Sequence, residues 1–198
     1  MQRQWHLDVM RIVSMAAVVL LHTAGQYWSR TDVTSFDWGA MNFYDSMVRW
    51  AVPVFVMISG ALFLDPNRDV TLRKIWTKSI PRIAIIILIW GFVYALIYNP
   101  PTEMTVKGIW AFCKVWVLGH FHMWFLFMIL GLYAVTPILR CVTRDGMATK
   151  YFLGLAFVVC VLLPFITSFG HLSIVSKVVD KVEFQVVGGY AFYFVLGY

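Results

Sequence analysis

Residues 7–25 read LDVMRIVSMAAVVLLHTAG, an apolar run that nonetheless carries an arginine, Arg11, and a histidine, His22. Its length suits a bilayer crossing. At about 100° per helical residue, the eleven-residue step from Arg11 to His22 returns to within roughly 20° of its start, so both side chains share one helix face. With a rise of about 1.5 Å per residue they stand roughly 16 Å apart along the axis, a large part of a hydrocarbon core about 30 Å thick. Asp8 and Ser14 fall in the same sector of about 120°. Ionisable groups at such depth are expensive to keep in lipid and generally mark a functional path.

Composition agrees with a membrane chain. Of 198 residues, 61% are hydrophobic, 17% aromatic and 13% charged, and the mean hydropathy is +0.75. Soluble domains are far less apolar than this. The aromatic residues suit interfacial belts, and the formal charge of +6 gathers at the ends of apolar runs, a pattern for lipid headgroups rather than nucleic acid. Cys113, Cys141 and Cys160 show no CxxC spacing and no pair placed for an extracytoplasmic disulfide, and read as small apolar residues.

The apolar runs predict an all-α, polytopic transmembrane helix bundle of five full spans plus a truncated sixth. The spans are Leu7–Gly25, Met47–Leu64, Ile80–Ile97, Phe121–Leu139 and Tyr151–Ile166. Gly108–Gly119, aromatic and half polar, suits an interfacial or re-entrant helix. The run from Val186 to Tyr198 is too short to cross, so the chain is expected to be the front of a longer protein, with residues 1–198 one incomplete membrane domain.

Charge sets the orientation. The connection Asp65–Arg82 holds Arg68, Arg73, Lys74, Lys78 and Arg82, and the loop Arg140–Lys150 holds Arg140, Arg144 and Lys150. Both belong on the cytoplasmic side by the positive-inside rule. The alternate connections Gln26–Ser46, Tyr98–His120 and Thr167–Gln185 are near charge balance. The expectation is a multi-pass protein of the inner (plasma) membrane with a cytoplasmic N-terminus. A cleaved signal peptide is the competing reading of the first run, but removing it spoils the agreement of the remaining loop charges.

For Arg11 and His22 two readings stand at this level. Each could sit at an interface, Arg11 snorkelling inward and His22 capping the outer end, or the two could line one site. Asp8, one turn before Arg11, offers an i, i+3 ion pair.

Three strings resemble the membrane-bound acyltransferase 3 family. Leu7-Asp8-Val9-Met10-Arg11, with His22 following after ten residues, is similar to the family's first helix. Val52-Pro53-Val54-Phe55-Val56-Met57-Ile58-Ser59-Gly60 is similar to its second-helix signature, and His122-Met123-Trp124-Phe125-Leu126, followed by Tyr133 and Pro137, to its fourth. The overall look is closest to O-acetyltransferases of bacterial surface polysaccharides, of the enterobacterial common antigen type. The resemblance spans the whole chain but only the first half of the family's usual set of spans.

The resemblance implies transfer of an acyl group, as a rule acetyl, from acetyl-CoA or another acyl-CoA to a sugar hydroxyl of a cell-surface or lipid-linked glycan. It implies His22 as the catalytic histidine and Arg11 as its partner. Side-chain chemistry fits: imidazole can accept a hydroxyl proton near neutral pH, whereas guanidinium cannot act as a base but can hold a phosphate or a developing oxyanion. Arg73, Lys74, Lys78 and Arg82 form a charge cluster suited to coenzyme A phosphates, or express the positive-inside bias alone. Where the family often has Arg-x-x-Arg, this chain has Ser79 and Arg82, with Lys78 displaced by one.

Ser14, Arg49, His122 and Trp124 are the candidate substrate contacts, Arg49 through an anionic acceptor group unless it snorkels outward. Ser59-Gly60 reads as a helix-packing point. His120, His122 and His171 lack the spacing and acidic or thiolate company of a metal centre, so no metal is expected. A transporter or flippase, with Arg11 and His22 lining the path, is the alternative from another functional class.

Overall fold

The computed structural model describes residues 5–101, 105–168 and 184–198. They are all-α, with no strand among the described residues. Five helical stretches are long and apolar enough to cross a membrane: Trp5–Gly25, Phe36–Phe63, Leu72–Tyr98, Phe121–Thr143 and Gly146–Ile166. Few of their residues are buried within the protein. Side chains such as Val13, Val19, Ile89 and Ile138 stand at least half exposed, as an apolar helix facing lipid rather than water requires.

The chain divides into two compact units, Met1–Asp65 with Asp145–Tyr198, and Pro66–Arg144. In the first, α1 (Trp5–Gly25) packs on α2 (Phe36–Val48) and α3 (Ala51–Phe63). Small residues make the close approach: Ser14, Ala17 and Ala24 form the buried face of α1, and Ala17 meets Val48 and Ala51 with Val18 and Leu21 beside them. On the other side α3 packs against α10 (Phe184–Leu196), which also meets α8 (Gly146–Phe157). Phe194 and Val56 are fully buried. Gly60 lies so close to the carbonyl of Phe194 that a Cβ there would overlap it. Ser59 donates to the carbonyl of Phe55 at 3.0 Å, so the pair is a packing point, as its small-residue character implies.

In the second unit a short helix, α4 (Leu72–Lys74), passes through a π turn at Ile75–Ser79 into α5 (Ile80–Tyr98), against which α6 (Val106–Leu118) and α7 (Trp124–Thr143) pack. Trp116 donates its indole N–H to the carbonyl of Leu88 at 2.7 Å and meets Phe92 edge-on at 5.2 Å. A Cβ on Gly91 would stand 2.6 Å from the carbonyl oxygen of Trp116. Gly119, with φ 68°, closes α6 in the left-handed region, where a glycine avoids the Cβ penalty.

Both π turns have a sequence cause. The turn at Ile75–Ser79 precedes Pro81, and a second, Val158–Leu162, precedes Pro164; the latter leads from α8 into α9 (Leu163–Ser168). A proline cannot donate to the carbonyl four residues back and its ring crowds it. The i→i+5 bonds from Ile80 to Ile75 and from Leu163 to Val158 widen the backbone just there.

Three connections come out shorter than the sequence reading, one of them the loop Arg140–Lys150, since α7 runs to Thr143 and α8 begins at Gly146. The connection expected at Gln26–Ser46 becomes helix from Phe36, because Ser35 accepts from the Trp38 amide at 3.1 Å and caps it. Polar residues Asp37, Asn42 and Asp45 had masked that helix in the hydropathy. Likewise the basic connection Asp65–Arg82 is helical from Leu72, capped by Thr71. Its cluster therefore sits on a helix rather than a loop. Residues 108–118 are helical as expected, within Val106–Leu118, and Gly119 caps the helix.

Candidate functional site

Because α1 is unbroken from Trp5 to Gly25, the eleven-residue spacing of Arg11 and His22 is realised as a shared face with an axial separation of roughly 16 Å. Arg11 is half-buried and its Nη1 donates to Asp8 Oδ1 at 3.3 Å. One bond leaves the rest of the guanidinium fork able to hold an anion. His22, in the last turn, is exposed. An acid in the first turn and a histidine in the last suit the helix dipole at each end.

Ser14 behaves differently from its neighbours on that face. It is fully buried in the stripe shared with Ala17 and Ala24, and its Oγ has no hydrogen-bond partner among the described residues. An enclosed, unsatisfied hydroxyl costs about 1–3 kcal/mol. The structure thus turns Ser14 into the helix packing and leaves Arg11 and His22 beside it.

Arg49, at the end of α2, is tied to Asp45: its Nε donates to Asp45 Oδ2 at 2.6 Å and its Nη2 lies 2.5 Å from the same oxygen. Asp45 is buried, whereas the arginine side chain is two-thirds exposed. The i, i+4 spacing of this pair was visible in the sequence, but its burial depends on the helix that the hydropathy concealed.

A cleft of about 630 Å³ opens between α1 and α2, lined on α1 by Leu20, Thr23 and Ala24 and on α2 by Asp37, Ala40, Met41 and Tyr44, with Tyr27, Arg30 and Thr31 from the turn between them. α1 contributes at i, i+3 and i+4 and α2 at i, i+3, i+4 and i+7, the spacing of one face. The turn is well ordered internally. Arg30 and Thr31 amides donate to the carbonyl of Tyr27 at 2.9 and 3.1 Å, and Trp28 stacks on Trp38 at 5.7 Å. Asp32 accepts from the Thr34 amide and hydroxyl, both at 2.9 Å, which holds its carboxyl below the usual range. Sequence reasoning missed this cleft for the same reason it missed α2.

In the second unit, Lys74 pairs with Asp69, whose carbonyl also accepts from its Nζ at 3.2 Å. Arg73, Lys78 and Arg82 are exposed. Arg140 on α7 donates to the carbonyl of Arg68 at 3.3 Å, fastening the segment before the cluster. His122 is half-buried in an aromatic group: its Nδ1 lies 2.8 Å from that of His120, and Tyr94 meets it edge-on at 4.7 Å. Trp124 is more exposed and packs edge-on with Phe125 at 6.3 Å. His171 lies outside the described residues.

Arg11, Ser14, His22 and Arg49 are thus carried by the first unit, and the basic cluster, His122 and Trp124 by the second. No curated protein and no solved structure matches the chain. A family model described as an acyltransferase domain matches residues 5–198. With almost the whole chain covered and the helices of a multi-pass membrane protein in place, the chain belongs to the acyltransferase 3 family and is a membrane acyltransferase in kind.

Proposed function

We propose that this membrane acyltransferase is an O-acyltransferase, in particular an O-acetyltransferase, which moves an acyl group from acetyl-CoA or another acyl-CoA to a sugar hydroxyl of a cell-surface or lipid-linked glycan. The observation that carries the reading is the pairing, on one face of one continuous helix, of an exposed imidazole and a guanidinium with most of its donors uncommitted. His22 takes the proton of the acceptor hydroxyl as its oxygen attacks the thioester carbonyl. The tetrahedral oxyanion then collapses, the C–S bond breaks, and the proton on the imidazolium goes to the departing coenzyme A thiolate. Arg11, oriented by Asp8 and roughly 16 Å along the helix from His22, holds negative charge on the donor away from the reacting carbonyl.

Arg73, Lys78 and Arg82 are assigned to the donor's phosphates, with Lys74 contributing once it leaves Asp69. Arg49, His122 and Trp124 are assigned to substrate contacts, whereas Ser14, fully buried in the helix packing, is withdrawn from that set. The protein is placed in the inner (plasma) membrane with its N-terminus in the cytoplasm, on the strength of the basic residues of 65–82 and 140–150. Labelled acetyl transfer from acetyl-CoA into glycolipid or polysaccharide, in membranes carrying the protein or its His22→Ala variant, tests the reading. Transfer that disappears with His22 supports it, and equal transfer by the variant refutes it.

A further inference from the structure

The cleft between α1 and α2 has no role in the chemistry assigned to Arg11 and His22. Leu20 and Ala24 project from α1 about 160° around the axis from His22 when placed at 100° per residue, and Thr23 about 100°. His22 is nevertheless at the same height, within one helical turn of Leu20 and Thr23. The cleft therefore lies across the helix from the proposed base, near the end of α1.

Its lining has the chemistry of a neutral sugar site. Arg30 and Asp37 place a fork of donors and a carboxylate acceptor in one cleft, and neither side chain has a hydrogen-bond or ion-pair partner among the described residues. Vicinal ring hydroxyls, each both donor and acceptor, suit such a pair. Tyr27 and Tyr44, both about half exposed, offer aromatic faces for the apolar side of a pyranose ring. Ala24, Ala40, Met41 and Leu20 supply an apolar floor. A phosphate would meet repulsion from Asp37, and an acyl chain would leave both charges desolvated without a partner. The volume, about 630 Å³, is that of an ordinary small-ligand site.

We propose that this cleft is a subsite for a sugar flanking the acylated one, so that the acceptor is an oligosaccharide lying over the end of α1. This rests on the acyltransferase reading above. A helix is about 10 Å across with its side chains, so a single sugar cannot occupy the cleft and present a hydroxyl to His22. A longer acceptor can.

The test is saturation-transfer NMR of the full chain in detergent with cellotriose, chitotriose and mannotriose, for the wild type, Arg30→Ala/Asp37→Ala and His22→Ala. At least one trisaccharide should bind the wild type saturably. The double variant should bind it about tenfold more weakly, the loss expected on removing a charge-assisted hydrogen bond, and His22→Ala should bind it as the wild type does. Asp37→Asn, which keeps the side-chain shape, should weaken binding in the same direction. The altered residues are exposed, and an unchanged melting temperature confirms that the fold is intact. No saturable binding of any trisaccharide, or equal binding by the double variant, overturns the subsite. So does displacement of the trisaccharide by inorganic phosphate. Acetyl transfer measured on the same preparations separates the two proposals: His22-dependent transfer without trisaccharide binding removes only the cleft, and Arg30- and Asp37-dependent binding without transfer removes only the acyltransferase assignment.

Discussion

His22 and Arg11 divide the work because their side chains differ in one respect, the ability to lose a proton. A histidine can exchange protons around neutral pH and an arginine cannot. His22→Ala should lower transfer by roughly 10²–10⁴-fold, the range for a lost general base, without changing membrane insertion, as read from labelled acetyl incorporation alongside membrane abundance. Arg11→Lys keeps the charge but loses the fork that Asp8 orients. It should retain part of the activity that Arg11→Ala loses, the latter falling by roughly 10- to 100-fold as expected when a hydrogen bond to a charged group of the donor is removed. Equal activity of the lysine and alanine variants would show that the fork is irrelevant. The shared face of Arg11 and His22 was legible in the sequence because it requires only helical periodicity. The inward turn of Ser14 was not, since it depends on which neighbours α1 packs against, and periodicity places residues on a face without saying what covers that face.

Among the elements, the closest contacts are made by glycine. Gly60 on α3 has no room for a Cβ beside the backbone of Phe194 on α10, and backbone, unlike a flexible side chain, cannot step aside. Gly60→Leu should separate these helices and lower stability by about 1–3 kcal/mol or more, the usual range for overpacking, measured as the melting temperature in detergent. Gly131→Ala, where nothing lies within reach of a new Cβ, should leave it nearly unchanged. Between α1 and α2, the carboxylate of Asp32 organises the turn through Thr34. Its pKa is lower folded than unfolded, so its support is complete above the unfolded value and fades as the pH falls through the folded one. Protection of the Thr34 amide from exchange, taken relative to the intrinsic rate at each pH, should therefore fall in acid in the wild type and show no such step in Asp32→Ala. The five apolar spans were readable from hydropathy, but α2 and the basic start of the third span were not. Polar residues dilute the signal exactly where a helix emerges from lipid, and only the caps at Ser35 and Thr71 disclose that it continues.

For the whole molecule, the charge at the ends of the spans carries the orientation. Cys141, exposed at the end of α7, lies beside Arg140 and Arg144, on the side that the positive-inside rule assigns to the cytoplasm. In a variant with Cys113 and Cys160 replaced by Ala, an impermeant maleimide should label Cys141 in right-side-out vesicles only after they are opened. Labelling of sealed vesicles would invert the topology. The family is legible from three short strings in the right order, of which the first is the specific one, since Arg11 and His22 are residues that the membrane interior seldom tolerates without cause. Donor and acceptor are not legible in the same way, since strings that fix a family do not name the side chains that distinguish one donor or acceptor from another. The deciding measurement is transfer of labelled acetyl from acetyl-CoA to endogenous glycan in membranes bearing the wild type or His22→Ala. Incorporation by the wild type and its loss in the variant at equal abundance is the predicted result, and incorporation that persists without the His22 imidazole would contradict it.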